Sequence, residues 1–388
     1  MSGLIYSIPY QVFIAICIVL ALLDRHFRNR MDIRPLIRGG CIVLYLLFIG
    51  LRGHIGTDWY NYYRIFEDVP SLTQGGLGEY VSENLLEPGF LVLVSFVKTI
   101  WADYHFFVFV SACLDVFVIH LFLKRYTDWY ALGFLVFMVM GGLTLCELLR
   151  NVRGIMLFLL SLCYLQERRA LPYFLLNGLG ILFHITSVFY LPLYWFLHRR
   201  WSVALLAAVF VVGNLLFWLH IEFMRPLVEW GAGLLGGRFS VLQSQYLLDE
   251  LFDQRYGLSV GYFERIVTAL LVMGFYRKLL QGRQTNVLFV NAFTLYFACF
   301  FFFSEIREFS ARFSLLFVFG YWVIFLELYR AMRVRGNRVL FLCALFLYAW
   351  LKMAGMTSNI LYRYDNVLWG VERYDRRAEE FERFYLNR

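Results

Sequence analysis

Charged residues are scarce in this sequence: Asp, Glu, Lys and Arg make up 16% of its 388 residues, against about 25% in a typical soluble domain. Hydrophobic residues make up 61%, and they come in runs separated by short charged clusters. This shortage of polar surface excludes a soluble globular fold and favours many helical membrane spans. We therefore predict one all-α polytopic membrane domain over residues 1–388, with about 11–13 transmembrane helices.

The patterns of metal sites and disulfide frameworks are also missing. The seven cysteines lie in or beside apolar runs, and no two of them form a CxxC pair. Cysteines in such positions behave as small apolar side chains. The sequence has no DxD motif or other clear cluster of metal ligands. We therefore expect no metal and no other cofactor.

A cleavable signal peptide is not indicated, because no basic region precedes the first apolar run, YQVFIAICIVLALL at residues 10–23. The basic cluster follows that run, which is typical of an anchor that stays in the bilayer. The net charge of +8 comes from arginines in short loops, not from a basic stripe on a soluble domain. Nucleic acid is therefore excluded as a partner.

Loop charge predicts the orientation of the chain in the membrane. Residues 24–38 carry five arginines and one histidine, so we place them in the cytoplasm. Residues 52–87 carry six acids and two arginines, and residues 221–257 carry five acids and three arginines. We place these two loops on the opposite, periplasmic side.

Two further segments need an interpretation: the apolar run 171–197 and the C-terminal residues 371–388. The apolar run 171–197 is either one long tilted span or a hairpin that breaks near His184, and hydropathy does not decide between them. Residues 371–388 form an amphipathic C-terminal helix with i, i+4 pairs Glu372–Arg376 and Glu379–Arg383. We interpret this segment as a solvated terminal helix.

The stretch LRGHIGTDWYNYYRIF, residues 51–66, is unusually polar for a chain this apolar. A second cluster, CELLRNVRG at residues 146–154, contains Glu147, Arg150 and Arg153 at a spacing of three. That spacing predicts one face of a helix. The two arginines there could bind an anion through their forked donors, or the segment could be an ordinary loop between spans.

Three further clusters place polar residues in or beside apolar runs, where each ionisable group costs about 3 kcal/mol to insert. In ILFHITSVFYLP, His184 is followed by a threonine and a serine. In SEIREFSARFSLLF, Glu308 can pair with Arg312 at i, i+4, whereas Arg307 has no such partner in sequence. In SNILYRYDNVLWG, aromatic residues accompany an acid and amides. Such mixtures anchor a membrane edge or bind sugar rings.

The clusters at residues 51–66, 304–317 and 358–370 fall on the periplasmic side by the topology from loop charge. Arginines, aromatics, acids and a histidine at one membrane face indicate a substrate with an anionic lipid headgroup and a polyhydroxyl part. Arginines can hold a diphosphate without a metal, because guanidinium groups supply the positive charge. The rival classes are a flippase or transporter for lipid-linked oligosaccharide, an O-antigen ligase, and a polysaccharide acyltransferase.

Several motifs resemble the EpsG family, membrane polymerases of bacterial exopolysaccharide and O antigen that are Wzy-like. The motifs follow the family order along most of the chain, and they are RGHIGTDWYNYYRIF, EPGFLVLVSF, LRNVRGIMLFLLSL, ILFHITSVFYLPL, REFSARFSLLF and LYRYDNVL. Three positions depart from the family pattern: Gly154 replaces a glutamine, Thr186 a serine and Arg363 a proline.

The resemblance implies a lipid-dependent glycosyltransferase with a GT-C-like fold, in the bacterial inner membrane with its active site facing the periplasm. Its implied substrates are two undecaprenyl-diphosphate-linked glycans, a donor and an acceptor. Membrane lipids and a chain-length regulator protein are the other expected partners. The residues at the matching motifs are assigned to three roles: catalysis by His184 and Asp58; diphosphate binding by Arg52, Arg150, Arg153 and Arg307; and substrate binding by Tyr62, Tyr364 and Asp365.

The general base is expected to be His184, with Asp58 orienting the loop or a sugar hydroxyl. A histidine titrates near neutral pH, whereas a carboxylate with an ordinary pKa of about 3.9 is a weaker base. The alternative for His184 is a structural hydrogen bond at a helix break.

Overall fold

The computed structural model describes residues 2–235 and 255–386. Every regular element within these ranges is helical, which confirms the all-α polytopic class. In chain order the helices are α1 (Ser2–His26), α2 (Ile33–Tyr45), α3 (Trp59–Asp68), α4 (Leu77–Glu83), α5 (Pro88–Ile100), α6 (Tyr104–Tyr126), α7 (Tyr130–Phe137), α8 (Leu143–Glu147), α9 (Asn151–Gln166), α10 (Ala170–Ile181), α11 (Leu193–Phe196), α12 (Val203–Trp218), α13 (Met224–Leu235), α14 (Val260–Gly282), α15 (Asn286–Phe302), α16 (Arg307–Leu315), α17 (Phe319–Ala331), α18 (Arg335–Met356) and α19 (Tyr374–Leu386).

Five segments of the described residues are long and apolar enough to cross a bilayer, namely Gly3–His26, Ile33–Gly50, Tyr104–Tyr126, Tyr130–Glu147 and Arg335–Met356. Helices α16 and α17 would add a sixth if their 65° bend lies within one span. Six more apolar helices are only 10–17 residues long, shorter than the ~20 residues of a perpendicular span. The total of about 11–13 spans therefore stays a prediction.

The helices form two compact units. The first consists of residues 1–196 and 339–388, and the second of residues 197–338. Within the second unit, α15 packs against α12, α14, α16 and α17. Part of the predicted periplasmic loop 221–257 is helix α13, while residues 236–254 lie outside the described residues. The single membrane domain stays a prediction, with these two units as its described parts.

The helical pattern breaks just after Glu147, which makes the prediction of one shared helix face wrong. Helix α8 ends at this residue, and Leu148 leaves the helical region with ψ 64°. Helix α9 then begins at Asn151, so that Arg150 becomes its N-cap residue. The backbone break separates the glutamate from the two arginines, and their side chains contact different partners.

The apolar run 171–197 is a hairpin. Helix α10 ends before His184, and a 3₁₀ turn, Ile185–Tyr190, leads into α11. The returning arm packs on the start of α10, because the Tyr173 hydroxyl bonds to the carbonyl oxygen of Tyr190 and the Tyr173 and Tyr194 rings lie 5.2 Å apart. Of the two alternatives, the hairpin with a turn near His184 is therefore observed.

Candidate functional site

The loop that follows α2 is bound to the segment that precedes α19. The Gly53 N–H donates to the Asp365 carbonyl at 3.1 Å, and the Gly56 N–H donates to the Leu361 carbonyl at 3.0 Å. A Cβ on Gly53 would lie 2.1 Å from Oδ1 of Asp365, so a larger residue at this position would displace that carboxylate. The polar clusters at residues 51–66 and 358–370 are thereby brought together.

Glu147 lies beneath this loop and ties the cluster at residues 146–154 to it. Its carboxylate accepts hydrogen bonds from the Thr57 N–H at 3.2 Å and the Tyr362 hydroxyl at 2.9 Å. Gly56 passes directly over the carboxylate with φ +86°, and a Cβ there would lie 2.1 Å from Oε2. The carboxylate of Asp58 interacts electrostatically with Glu147, so two acids share this corner of the first unit.

Arg150 is held by a third acid, Glu87. Its Nη1 donates to Oε2 of Glu87 at 2.8 Å, while Oε1 accepts from the Ile185 N–H at 3.3 Å. The Arg150 N–H lies 3.4 Å from the hydroxyl oxygen of Tyr62. Glu87 thus connects the arginine to the backbone beside His184, and Tyr62 connects it to α3.

His184 caps the 3₁₀ turn of the hairpin. Its Nδ1 accepts from the Thr186 N–H at 3.3 Å and lies 2.7 Å from the Thr186 hydroxyl oxygen. That hydroxyl in turn donates to Oδ1 of Asn151 at 3.2 Å, at the start of α9. The half-buried imidazole is therefore oriented by its own turn, next to the pair of Glu87 and Arg150.

The two other arginines assigned to this region bind protein groups. Arg52 is 7% exposed, and its guanidinium donates to the carbonyls of Ile49 at 2.8 Å and Cys146 at 2.5 Å. Arg153 donates to Asp115 at 2.6 Å, and both side chains are at most 5% exposed. Their predicted role in diphosphate binding stays a prediction. The Arg150 side chain, by contrast, is 25% exposed.

Two of the three predicted substrate-binding residues, Tyr364 and Asp365, are also engaged with the protein. The Tyr364 hydroxyl donates to the Phe48 carbonyl at 2.8 Å, and its ring stacks on the Phe48 ring with centroids 4.4 Å apart. Oδ2 of Asp365 accepts from the Glu372 N–H at 3.0 Å. Burial raises the pKa of Asp365. Both residues lie next to the loop at residues 51–58 and stay predictions as sugar ligands.

His54, which the sequence left without a role, is buried in an aromatic box. It is 2% exposed, and its ring lies 4.7 Å from the Trp59 ring and 5.0 Å from the His105 ring. Neither of its ring nitrogens has a hydrogen-bond partner within the described part of the chain. Burial first, and then the nearby His105 and Arg377, lowers the pKa of His54 to about 3. His54 is therefore neutral at physiological pH.

The C-terminal helix α19 is docked on this site, so its interpretation as a solvated terminal helix is wrong. Arg377 is 3% exposed and donates to the carbonyls of His54 at 3.0 Å, Leu361 at 3.2 Å and Arg363 at 3.0 Å. Arg363 pairs with Glu372 and with Glu380. The apolar spacing of Tyr374, Ala378 and Phe381 is the sequence signal of this docked face.

Arg307 is the first residue of α16 and lies in the second unit. Its guanidinium lies over the Tyr256 ring, with Cζ 5.9 Å from the centroid. The expected pair of Glu308 and Arg312 is confirmed, with Nε and Oε2 3.5 Å apart. In the residues that the structure describes, no group of three or more His, Cys, Asp or Glu side chains is arranged to hold a metal ion.

Comparison with known proteins gives one match. The family model described as "EpsG family" matches residues 40–366. This range contains all nine residues assigned to the site from the sequence. No curated protein and no solved structure matches the chain.

Proposed function

The chain belongs to the EpsG family, and we propose that it is a polymerase joining undecaprenyl-diphosphate-linked oligosaccharide repeat units into O antigen or exopolysaccharide. The reaction takes place at the periplasmic face of the bacterial inner membrane. Membership in this family suggests a membrane protein of the polysaccharide-polymerase type. We propose in addition the particular reaction, its substrate and a GT-C-like fold.

The observation that carries the proposal is the convergence of four separate polar clusters in the first unit. The loop before α3, the junction of α8 and α9, the hairpin turn at His184 and the segment before α19 are joined by hydrogen bonds through Glu147 and Glu87. Acidic side chains, a histidine, tyrosines and an arginine thus lie close together in an otherwise apolar protein. Such groups suit a substrate that has both hydroxyl groups and a phosphate.

In the proposed reaction, a hydroxyl oxygen of the acceptor sugar attacks the anomeric carbon of the donor glycan. The acceptor loses its proton to Nδ1 of His184, which gives up its hydrogen bond from the Thr186 N–H. The bond between the anomeric carbon and the diphosphate oxygen breaks, and undecaprenyl diphosphate leaves with the bonding electron pair. Asp58 orients the loop or a sugar hydroxyl and is the alternative base. The leaving diphosphate needs no acid, because its charge is spread over two phosphates.

Arg150 is the arginine of the first unit best placed to bind phosphate. Its Nη1 donates to Glu87, and its side chain is nevertheless 25% exposed. Arg52 and Arg153 are proposed to contribute to the same task, and the assignment of Arg307, in the second unit, to diphosphate binding stays a prediction. Tyr62, Tyr364 and Asp365 are proposed to face the sugars.

A gel of surface glycan from a deletion strain tests the proposal against its rivals. A polymerase predicts that long chains disappear while lipid A core capped with a single repeat unit remains. Loss of all capped lipid A would contradict it and indicate a ligase or a flippase. Complementation with Arg312→Lys, which alters a surface pair on α16, serves as the control and should restore long chains.

A further inference from the structure

Two basic side chains lie close together near the start of α2 and the end of α6, in the first unit. The guanidinium of Arg38, on α2, lies over the Tyr130 ring, with Cζ 5.7 Å from the centroid. The Tyr130 hydroxyl lies 3.1 Å from Nδ1 of His120 on α6, and Lys124 follows one helical turn later. Arg38 and Lys124 both act electrostatically on His120, so the two cations are neighbours.

Neither cation is neutralised by an acid. Within the described part of the chain, no carboxylate forms an ion pair with Arg38 or Lys124, and Nε of Arg38 is buried without a hydrogen-bond partner. The carboxylates close by are engaged elsewhere. That of Asp24 accepts from the backbone N–H at the start of α7 at 3.1 Å, and that of Glu167 pairs with Arg125 at 3.5 Å. Like charges repel, so the place between the two cations is complementary to an anion.

An exposed apolar stripe runs along α6 to Lys124. Its members Leu114, Phe117 and Leu121 are 41%, 59% and 39% exposed. Together with Lys124 they are spaced by three, four and three residues, which places all four side chains on one face of the helix. Helix α6 is long and apolar enough to cross a bilayer, and a lysine at the end of such a span reaches the level of the lipid headgroups. An acyl chain on this stripe would therefore bring its headgroup to the lysine.

The stripe lies beside the face of α6 that packs on the α2 segment. Residues 46–50 continue α2, and a Cβ on Gly50 would lie 3.2 Å from the Phe109 ring of α6. His120 follows Phe109 by about three helical turns, so it lies on this same packed side. Lys124 lies between that side and the stripe, and one headgroup could therefore contact the cations of both helices.

We propose that Arg38 and Lys124 bind the phosphate group of an anionic phospholipid whose acyl chain lies along the apolar stripe of α6. The forked guanidinium suits the phosphate oxygens, and the ammonium adds a point charge. By the orientation predicted from loop charge, this lipid lies in the cytoplasmic leaflet. The site goes beyond the proposed polymerisation, because it lies at the other end of α2 from the loop at residues 51–58 and involves no glycan.

The test is a binding measurement on the full chain, purified in a nonionic detergent. The probes are dioctanoyl phosphatidylglycerol, dioctanoylglycerol as similar tails without a phosphate, and inorganic phosphate as a headgroup without tails. Arg38→Gln and Lys124→Gln should each weaken the binding of phosphatidylglycerol by about tenfold, because each removes a charge-assisted hydrogen bond. Both variants should leave the binding of dioctanoylglycerol unchanged. Inorganic phosphate should bind the wild type far more weakly than phosphatidylglycerol does, since it cannot contact the stripe.

Arg28→Gln is the matched control, because Arg28 is an exposed arginine of the loop that precedes α2 and its loss removes the same net charge. Lys124 is exposed, so Lys124→Gln remains a test if the Arg38→Gln protein does not fold. Wild-type affinity for phosphatidylglycerol in Lys124→Gln, or an equal loss in Arg28→Gln, would overturn the proposal. Equal affinities for inorganic phosphate and phosphatidylglycerol would also overturn it, since they would indicate a site for free phosphate. No glycan substrate is present, so this result and a failure of polymerisation are separate outcomes.

Discussion

Glu147 and Tyr362 are joined by a hydrogen bond of 2.9 Å, from the tyrosine hydroxyl to Oε1, although 215 positions separate them in the chain. The same carboxylate accepts from the Thr57 N–H. One acid therefore fixes the loop that carries Asp58 against the segment that carries Tyr364 and Asp365. The site in the first unit depends on this connection, which joins three parts of the sequence.

Glu147→Ala should greatly reduce polymer formation, and Glu147→Gln should reduce it less, because the amide oxygen can still accept from Thr57. Tyr362→Phe should lower the free energy of unfolding by about 1–3 kcal/mol, since it leaves a part-buried acceptor without its donor. Turnover and the thermal unfolding midpoint should be measured for the single and double variants. Residues in contact couple by about 0.5–3 kcal/mol, so the effects of Glu147→Ala and Tyr362→Phe should be less than additive. Tyr194→Phe, which removes a hydroxyl that donates to the Arg168 carbonyl at 2.8 Å, is the control and should add independently; additivity for both tyrosines would contradict this account.

Arg→Lys substitutions should separate arginines that bind phosphate from arginines that hold the fold. Lysine keeps the charge but loses the two-pronged donor geometry. Arg150→Lys and Arg307→Lys should lower polymer length at normal protein levels. Arg52→Lys and Arg153→Lys should also lower the amount of folded protein. Arg52 donates to two backbone carbonyls, and disrupting the buried pair of Arg153 and Asp115 costs about 3–5 kcal/mol. Arg312→Lys is the control, and full-length polymer from all four variants at normal levels would show that these arginines do not hold the diphosphate.

His54 should make the folded protein less stable in acid. Its pKa is about 3 in the folded chain against an ordinary 6.5, so below pH 6.5 the unfolded chain takes up a proton that the folded chain does not. Stability is therefore complete above about pH 6.5 and falls between there and about pH 3, by as much as about 1.4 kcal/mol per pH unit. His54→Phe should flatten this fall in the unfolding midpoint between pH 7.5 and 4.5. His26→Phe, at an exposed histidine, should not; equal pH slopes in both variants would refute the assignment.

The predicted orientation can be tested with single cysteines at two exposed positions, Asn29 and Glu79. Glu79 is preferred to the neighbouring Gly75, whose φ of +75° makes a larger residue strained. An impermeant thiol reagent should label Glu79→Cys but not Asn29→Cys in intact spheroplasts, with the parent protein as the background control. Labelling of Asn29→Cys alone would reverse the topology.

Composition and loop charge were enough to predict a polytopic helical protein, because apolar runs must satisfy their backbone groups within helices. Family motifs then pointed to the clusters that converge in the first unit. The break at Leu148 was not visible in the sequence, since the spacing of Glu147, Arg150 and Arg153 fits an uninterrupted helix equally well. Its cause is tertiary: Glu147 faces Thr57 and Tyr362, while Arg150 faces Glu87.

Long-range partners explain the other differences. Arg377 reads as one of many charges on a solvated helix, and only the positions of the carbonyls of His54 and Leu361 show why it is buried. Pairings across hundreds of residues leave no local periodicity that a single sequence could reveal.

The choice of base can be decided with purified lipid-linked repeat units. His184→Gln keeps the size and one hydrogen bond but removes the basic nitrogen, so it should reduce turnover by about a hundredfold or more. Asp58→Asn should reduce turnover less if Asp58 orients the loop or a hydroxyl. Turnover near that of the wild type in His184→Gln, together with loss in Asp58→Asn, would make Asp58 the base.

The most direct test of the central claim is the product formed when the wild-type chain alone, purified and reconstituted in liposomes, is given one defined undecaprenyl-diphosphate-linked repeat unit. The account predicts a ladder of products that differ by one repeat, with one undecaprenyl diphosphate released for each new glycosidic bond. A folded, monodisperse protein that forms no product longer than the supplied repeat, under conditions in which a known polymerase elongates the same substrate, would contradict it.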